Sequence, residues 1–351
     1  MNKLTKVGCS ALCGSLAAIA SANAGALTVS GGADLTFTSL GNDVVGQPIG
    51  MGSNVTFKGS GELDNGWTFD LAIANANGGA FSAANVTIDM QGLGKINVNQ
   101  GNSGNGIQAF DDKMPTAWEE SWGAGLSGGV QLVYGSGKSQ NVMYTTPKVL
   151  GTTVTLTYAH ENGVTDVSDK GTKSADNDAG RSYDATINMN PSLGTEILSG
   201  LNIFAGASTI ESRKNSAVEE DQYQGVGGLT YDLGPISIGA QWSGIYTGQD
   251  NLNGSSHVYN AYKNHAFGIA FNVNDDLSVS YGEHSSRKAG YNGSNAQSGT
   301  PASRIVEVSS WQAAYTMGGA SFRVADVKVD NNLWSAGASR DATVVSLGLA
   351  F

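Results

Sequence analysis

The stretch Asp64-Asn65-Gly66-Trp67-Thr68-Phe69-Asp70-Leu71-Ala72-Ile73 decides the fold. Asp-Asn-Gly is a strong hairpin turn, because these residues tolerate the positive φ a tight turn demands. Behind it, Trp67, Phe69, Leu71 and Ile73 alternate with Thr68 and Asp70. Period two means strand, since successive side chains point to opposite faces. Upstream, Leu27, Val29, Ala33, Leu35 and Phe37 share one face and Thr28, Ser30, Asp34 and Thr36 the other. Downstream come Val154-Leu156-Tyr158, Ile236-Ile238-Ala240-Trp242, Phe267-Ile269-Phe271-Val273, Leu277-Val279-Tyr281 and Val345-Leu347-Leu349-Phe351. No 3.6-residue pattern competes.

A β-sandwich alternates in the same way, with its apolar faces packed together. Three features favour a transmembrane barrel, apolar outside and polar within. The strands run to ~9–11 residues, the length a tilted membrane strand needs. Aromatic residues cluster beside short turns (Trp67, Tyr144, Tyr231, Phe271, Tyr315, Phe351) and again toward the other strand ends (Phe37, Tyr158, Tyr246), as two interfacial belts would. Short and long connections also alternate. The short turns are 64–66, 91–95, 147–151, 190–199, 232–235, 274–276 and 317–319. The longer polar loops are 39–50, 77–83, 101–138, 161–181, 211–222, 247–258, 285–303 and 331–341. The expected fold is therefore an all-β, antiparallel barrel of sixteen strands. Val130-Leu132-Tyr134 imitates a seventeenth, but an odd wall strand would break the alternation. It is read as the returning arm of the third loop.

Composition agrees. The chain has 351 residues, of which 49 are Gly, and only 14% are charged. A soluble globular protein carries roughly 25% charge and about half that share of Gly. The net charge of −11 argues against nucleic acid as a partner. No stretch beyond the N-terminal segment approaches the ~18 apolar residues of a membrane helix. Lys3 and Lys6, the apolar run Val7–Ala20 and Ala22-Asn23-Ala24 read as a secretory signal peptide over 1–24, leaving a single domain over 25–351. Both cysteines, Cys9 and Cys13, lie in that segment. Its removal deepens the net charge to −13.

With this pattern, Asn141-Val142-Met143-Tyr144-Thr145-Thr146-Pro147, Gly61-Glu62-Leu63-Asp64-Asn65-Gly66-Trp67 and Ala314-Tyr315-Thr316-Met317-Gly318 resemble motifs of the general diffusion porins of the Gram-negative outer membrane. Phe351 resembles their terminal insertion signal. The resemblance implies a homotrimer among outer-membrane lipid and lipopolysaccharide. It also implies a water-filled channel for small hydrophilic solutes and ions, with the third loop (101–138) folded into the lumen to set its width.

The function of such a channel is the width and field of its narrowest point. The resemblance places acidic residues of the third loop there, which points to Asp111, Asp112, Glu119 and Glu120, with Lys113, Met114, Pro115 and Trp118 at the loop tip. The candidates for the opposing basic wall are Lys58, Arg304 and Arg323, with Lys328 a further one. Gln100 stands where the family often carries Arg. The alternation slips between Val324 and Val327, as at a bulge. Asp34, Asp70 and Asp89 fall on polar faces and either line the lumen or hydrate it. A mild cation preference is expected. A substrate-selective porin for sugars, phosphate or small acids is the alternative, with Trp118 and Trp122 as its aromatic candidates; a closed structural or adhesive barrel is the third reading. The four acids of 166–178 suit Ca²⁺ only as a loose oxygen-rich loop, with no EF-hand spacing, and no other cofactor is indicated. His160, His257, His265 and His284 form no metal motif and no Gly-x-Ser-x-Gly occurs, so nothing indicates an enzyme. Strands one to five, with Ala33, Ala72 and Ala74, are the expected trimer face.

Overall fold

A computed structural model describes residues 27–41, 47–77, 82–111, 113–165, 180–191, 196–212, 220–248, 258–291 and 304–350. Sixteen strands follow one another: β1 (Thr28–Leu40), β2 (Ile49–Glu62), β3 (Thr68–Ala76), β4 (Ala83–Asp89), β5 (Lys95–Gln100), β6 (Asn141–Thr145), β7 (Thr152–Ala159), β8 (Ser182–Met189), β9 (Leu201–Ile210), β10 (Gln222–Leu233), β11 (Ile236–Tyr246), β12 (Val258–Asn272), β13 (Leu277–Tyr291), β14 (Arg304–Met317), β15 (Ala320–Asp330) and β16 (Arg340–Ala350). Each pairs antiparallel with its sequence neighbours, and β1 pairs with β16, from Gly32 against Ala350 to Leu40 against Ala342. Closure leaves no sheet edge, so every strand finds its backbone partners inside the wall. The seven short turns and seven of the eight loops separate the strands where the alternation puts them; the seventh loop begins later than expected. The signal segment 1–24, the acidic stretch 166–178, His257 and Phe351 lie outside the described residues.

The outer face is apolar. Leu35, Phe37, Leu71, Val86, Val98, Leu156, Leu229, Ile269, Phe322 and Leu347 all stand exposed on it. Aromatic pairs across neighbouring strands build its girdle: Tyr158 on Tyr183 at 5.3 Å, Tyr223 on Tyr246 at 6.4 Å and Tyr281 on Trp311 at 4.6 Å between ring centres. The wall is uneven. Strands β4–β6 have 7, 6 and 5 residues, whereas β12 and β13 have 15 each.

Three expectations need correction. Residues 285–291 do not open a loop but continue β13, paired to β12 as far as Tyr291. Apolar alternation ends there because the outer side chains Glu283 and Arg287 have left the apolar belt, while the hydrogen-bond ladder runs on. Second, β15 has no bulge: its register with β14 is continuous from Met317–Ala320 to Glu307–Asp330. Phe322 and Val324 face outward, Val327 and Val329 inward, where they are fully buried. The apparent slip marks an apolar patch on the inner wall, and Lys328, turned outward, is no lumen residue. Third, Ala72 and Ala74 pair with the inward Lys58 and Thr56 and face the lumen; of the three alanines only Ala33 faces out.

Candidate pore constriction

Residues 101–140 leave β5 and return to β6 as a flattened hairpin laid against the inner wall of β8–β16. The first leg begins with a 3-10 turn, Gly106–Phe110, against β8 and β9. It then crosses β11 and β12 at Met114-Pro115 and reaches β13 and β14 at Thr116–Glu119. The bend over 120–127 meets β16, where Gly125 lies against Val344. The second leg returns at a higher level, past Ser286 and Gln224, to β8. Val130-Leu132-Tyr134 lies in this leg and joins no strand.

A chain segment with no ladder must still satisfy its backbone N–H groups. Side chains of the inner wall do this. Gln224 accepts from Tyr134 N–H at 2.8 Å and Gly135 N–H at 3.1 Å. Ser286 accepts from Gln131 N–H at 3.3 Å and Ser280 from Ala117 N–H at 2.8 Å. Gln312 holds the acidic turn: its Oε1 accepts from Glu119 N–H at 2.9 Å and Trp118 N–H at 3.2 Å, and its Nε2 donates to Glu119 O at 2.6 Å. Asp184 accepts from both legs. Tyr134 donates its hydroxyl to Gln222, and burial pushes its phenol above the usual range. The polar inner face is thus a rack of acceptors as well as a wetted surface.

Apolar contacts fill the spaces between. Ile107, Phe110, Met114 and Val133 pack on Phe204, Val226 and Ile245. Trp118, Trp122, Ala124, Leu126 and Val130 pack on the inward valines of β14 and β15. Inward glycines let the first leg lie close. Gly239, Gly268 and Gly282 stand side by side on β11, β12 and β13. A Cβ at Gly268 would stand 2.7 Å from Pro115 O and 3.0 Å from Met114 Cβ. Loop 331–339 presses on the second leg, where Leu333 N–H donates to Gly128 O at 2.8 Å, and is tied to β13 by Trp334 Nε1, which donates to Ser286 O at 2.9 Å. Leu333 and Trp334 adopt φ of 52° and 57°, a left-handed conformation that such side chains rarely take without support.

The candidate residues are therefore distributed as follows. Asp111 ends the 3-10 turn, and Asp112 lies outside the described residues. Met114, buried, and Pro115 do not form a tip; with Lys113 they lie midway along the first leg, because the glycine trough and the Phe204 cluster draw that segment onto the wall. Trp118 also packs against the wall, which removes it and Trp122 from the role of an aromatic track. Glu119 is exposed and Glu120 half-buried at the bend. Lys58 faces the lumen from β2, paired across to Thr28 and Ala72. Arg323 faces it from β15, 3.0 Å from Asp34. Arg304 stands at the loop end of β14, where its Nη1 donates to the backbone carbonyl of Trp334 at 3.3 Å, while the Lys288 ammonium lies 5.0 Å from the centre of the Trp334 ring. Gln100 faces outward. Sequence reasoning missed Asp184, Gln224, Ser280, Ser286 and Gln312; their one signal was a polar residue in the inward phase, shared by many others. Beside the loop, a cavity of about 480 Å³ remains at the β1 seam, lined by Asp34, Asn54, Ala76, Thr316, Arg323 and Gly348.

Solved porins share this architecture. The OmpF porin of Salmonella typhi, solved in complex with daunomycin, superimposes with a TM-score of 0.68 at 12% identity, covering 93% of this chain and 98% of that one. The anion-selective porin of Comamonas acidovorans gives 0.63 at 12% over 93% and 99%. OmpT of Vibrio cholerae, in its trimer form, gives 0.63 at 11% over 94% and 100%. No curated sequence matches the chain. Identities this low establish the fold alone. The family model of the Gram-negative porins, however, matches residues 8–351; the chain belongs to that family, whose barrels are non-enzymatic outer-membrane channels for passive diffusion.

Proposed function

We propose that the protein is a general diffusion channel for small hydrophilic solutes and ions, narrowed by loop 101–140 and mildly cation-selective. The observation that carries the selectivity is the charge balance of the inner wall. Among the described residues, its short-turn half presents Asp34, Glu62, Asp70, Asp89 and Asp232 against Lys58, Lys95 and Arg323. Two of the three bases are neutralised locally, Lys95 by Asp89 at 2.9 Å and Arg323 by Asp34 at 3.0 Å. Among the described residues, the first leg and the bend of the loop add Asp111, Glu119 and Glu120 against Lys113. A relative of the same fold is anion-selective, so preference follows the lining charges rather than the architecture.

As a reading of assembly, the protein is a homotrimer held through its low wall at β3–β7, where Leu71, Ile73, Val86, Val98, Val142 and Leu156 are exposed. It is exported through the periplasm on its signal segment. Ca²⁺ at the acidic loop 166–178 is a separate expectation, checked by calcium titration.

Planar-bilayer recording tests the channel and its field together: single-channel steps with a cation-sided reversal potential under a KCl gradient are expected. Silence, or a clear anion preference, overturns the reading. Liposome swelling with graded solutes separates a size-limited pore from one with a saturable site. Gel migration before and after heating tests the trimer.

A further inference from the structure

Asp184, inward on β8, is the only buried acidic side chain among the described residues, at 4% exposure. The two legs of the loop converge on it. Ile107 N–H, at the start of the first leg, donates to Oδ2 at 3.1 Å. Ser136 N–H, at the end of the second, donates to Oδ1 at 3.2 Å and Oδ2 at 3.0 Å.

The local chain is shaped for this. Each donating residue follows a glycine in the left-handed region, Gly106 at φ 57° before Ile107 and Gly135 at φ 47° before Ser136. Such a residue turns the next N–H inward and forms an anion cradle. Both glycines also lack the atom that would collide. A Cβ at Gly106 would stand 1.8 Å from Asp184 Oδ2, and one at Gly135 2.6 Å from the same oxygen. The Ser136 hydroxyl then meets that of Ser182, two positions along β8, at 2.9 Å. Two glycine-led half-cradles, brought together only by the fold, close around one carboxylate that the wall supplies.

We propose that Asp184 is the positioning residue of the constriction: its carboxylate pins the roots of both legs, so that the hairpin lies on the wall at one height and the acidic bend faces the passage from a fixed place. The inference rests on the reading of loop 101–140 as the constriction. A carboxylate only accepts: Oδ2 takes an N–H from each leg and Oδ1 a second bond from Ser136, so an amide here sets its NH₂ group against Ser136 N–H, or against both donors in the other orientation.

The test is planar-bilayer recording on the refolded full-length mature chain, comparing Asp184→Asn, Asp184→Glu and Gly135→Ala with the parent. Heat-dependent gel migration serves as the check on barrel assembly. Asp184→Asn and Gly135→Ala are expected to assemble, to shift single-channel conductance by about 2-fold, to raise open-channel noise, and to move the reversal potential toward zero. Asp184→Glu, which keeps the charge, is expected to restore part of the selectivity. Assembled variants that conduct with the parent's amplitude, noise and selectivity overturn the proposal. So does failure of both Asp184→Asn and Gly135→Ala to assemble, which makes Asp184 a folding residue. A parent without conductance overturns the constriction reading itself and the proposal with it, an outcome distinct from a conducting parent with unaltered variants.

Discussion

Arg323 holds its guanidinium 5.0 Å from the centre of the Trp118 ring while pairing with Asp34 at 3.0 Å. The loop, β15 and β1 therefore meet at one cation, and Ser346 of β16 donates its hydroxyl to the same Asp34. Asp34 does two things for the pore: it adds an acid to the lumen and cancels a base. Asp34→Asn removes the first and exposes the second, so cation preference is expected to fall. Arg323→Met, which keeps the packing against Trp118, is expected to raise it. Reversal potentials under a KCl gradient decide the matter, and shifts of the same sign in both variants would refute the pairing as a determinant of the field.

Lys58 is the remaining inner-wall cation of the short-turn half, and it has no ion-pair partner among the described residues. No ion pair among the described residues offsets its charge on permeating ions. Lys58→Glu reverses one charge on the wall facing the loop. The expected result is a clear gain in cation preference with little change in conductance at high salt. A reversal potential that does not move would place Lys58 outside the field of the narrow zone.

Gly268 sets how closely the first leg approaches the wall. A side chain there meets backbone of Pro115 as well as Met114, and backbone cannot step aside as the end of a flexible chain can. Gly268→Leu is expected to lift residues 114–115 into the lumen. Single-channel conductance should drop, and swelling rates should fall most for the largest solutes. Equal slowing for solutes of every size would mean fewer open channels rather than a narrower one.

The trough also shows what was legible in the sequence. Along the outer belt the wall is apolar, so Leu71, Ile269 and Leu347 announce their strands by polarity alone, and with them the strand count and closure. The inner wall meets two different partners, water and the loop. Where it meets the loop, the code reverses: Val306, Val308, Val327 and Val329 are apolar and inward, while Glu307, Asp326 and Lys328 are charged and outward. A period-two reading takes that reversal for a slip. Loop 101–140 shows no period beyond the misleading alternation of Val130, Leu132 and Tyr134, because side chains distant in sequence hold it. Asp184 and Gln312 look like any polar residue of a wetted face. Gly106 and Gly135 look like ordinary loop glycines until the fold sets them on the same carboxylate.

Gln312 fixes the turn that carries Glu119. Gln312→Leu keeps the bulk and removes the acceptor, leaving the N–H groups of Trp118 and Glu119 without it. Each lost bond of this kind weakens the seat by about 0.5–1.5 kcal/mol, more where the orphaned group stays buried. The barrel, held by its own ladder, should keep its heat-dependent gel migration. The turn should not keep its place, and open-channel noise is expected to rise. Unchanged noise together with unchanged selectivity would show that Ser280 and the valine cluster hold the turn without Gln312.

The lining charges act through water, so their reach depends on salt. The Debye length is about 10 Å at 0.1 M and about 3 Å at 1 M. Near the lower value of salt, Lys58, Asp70 and the bend at Glu119 and Glu120 influence an ion anywhere across a narrow lumen. At the higher value they influence only ions that graze them. Locally paired groups such as Lys95 with Asp89 contribute little at either concentration, because each cancels the other at 2.9 Å. Cation preference is therefore expected to decline steadily between 0.1 M and 1 M KCl at a fixed concentration ratio, and conductance to rise more slowly than bulk conductivity at the low end. A preference that survives unchanged at 1 M would require ions to be held in direct contact with a lining carboxylate, and would move the channel from general diffusion toward a binding site.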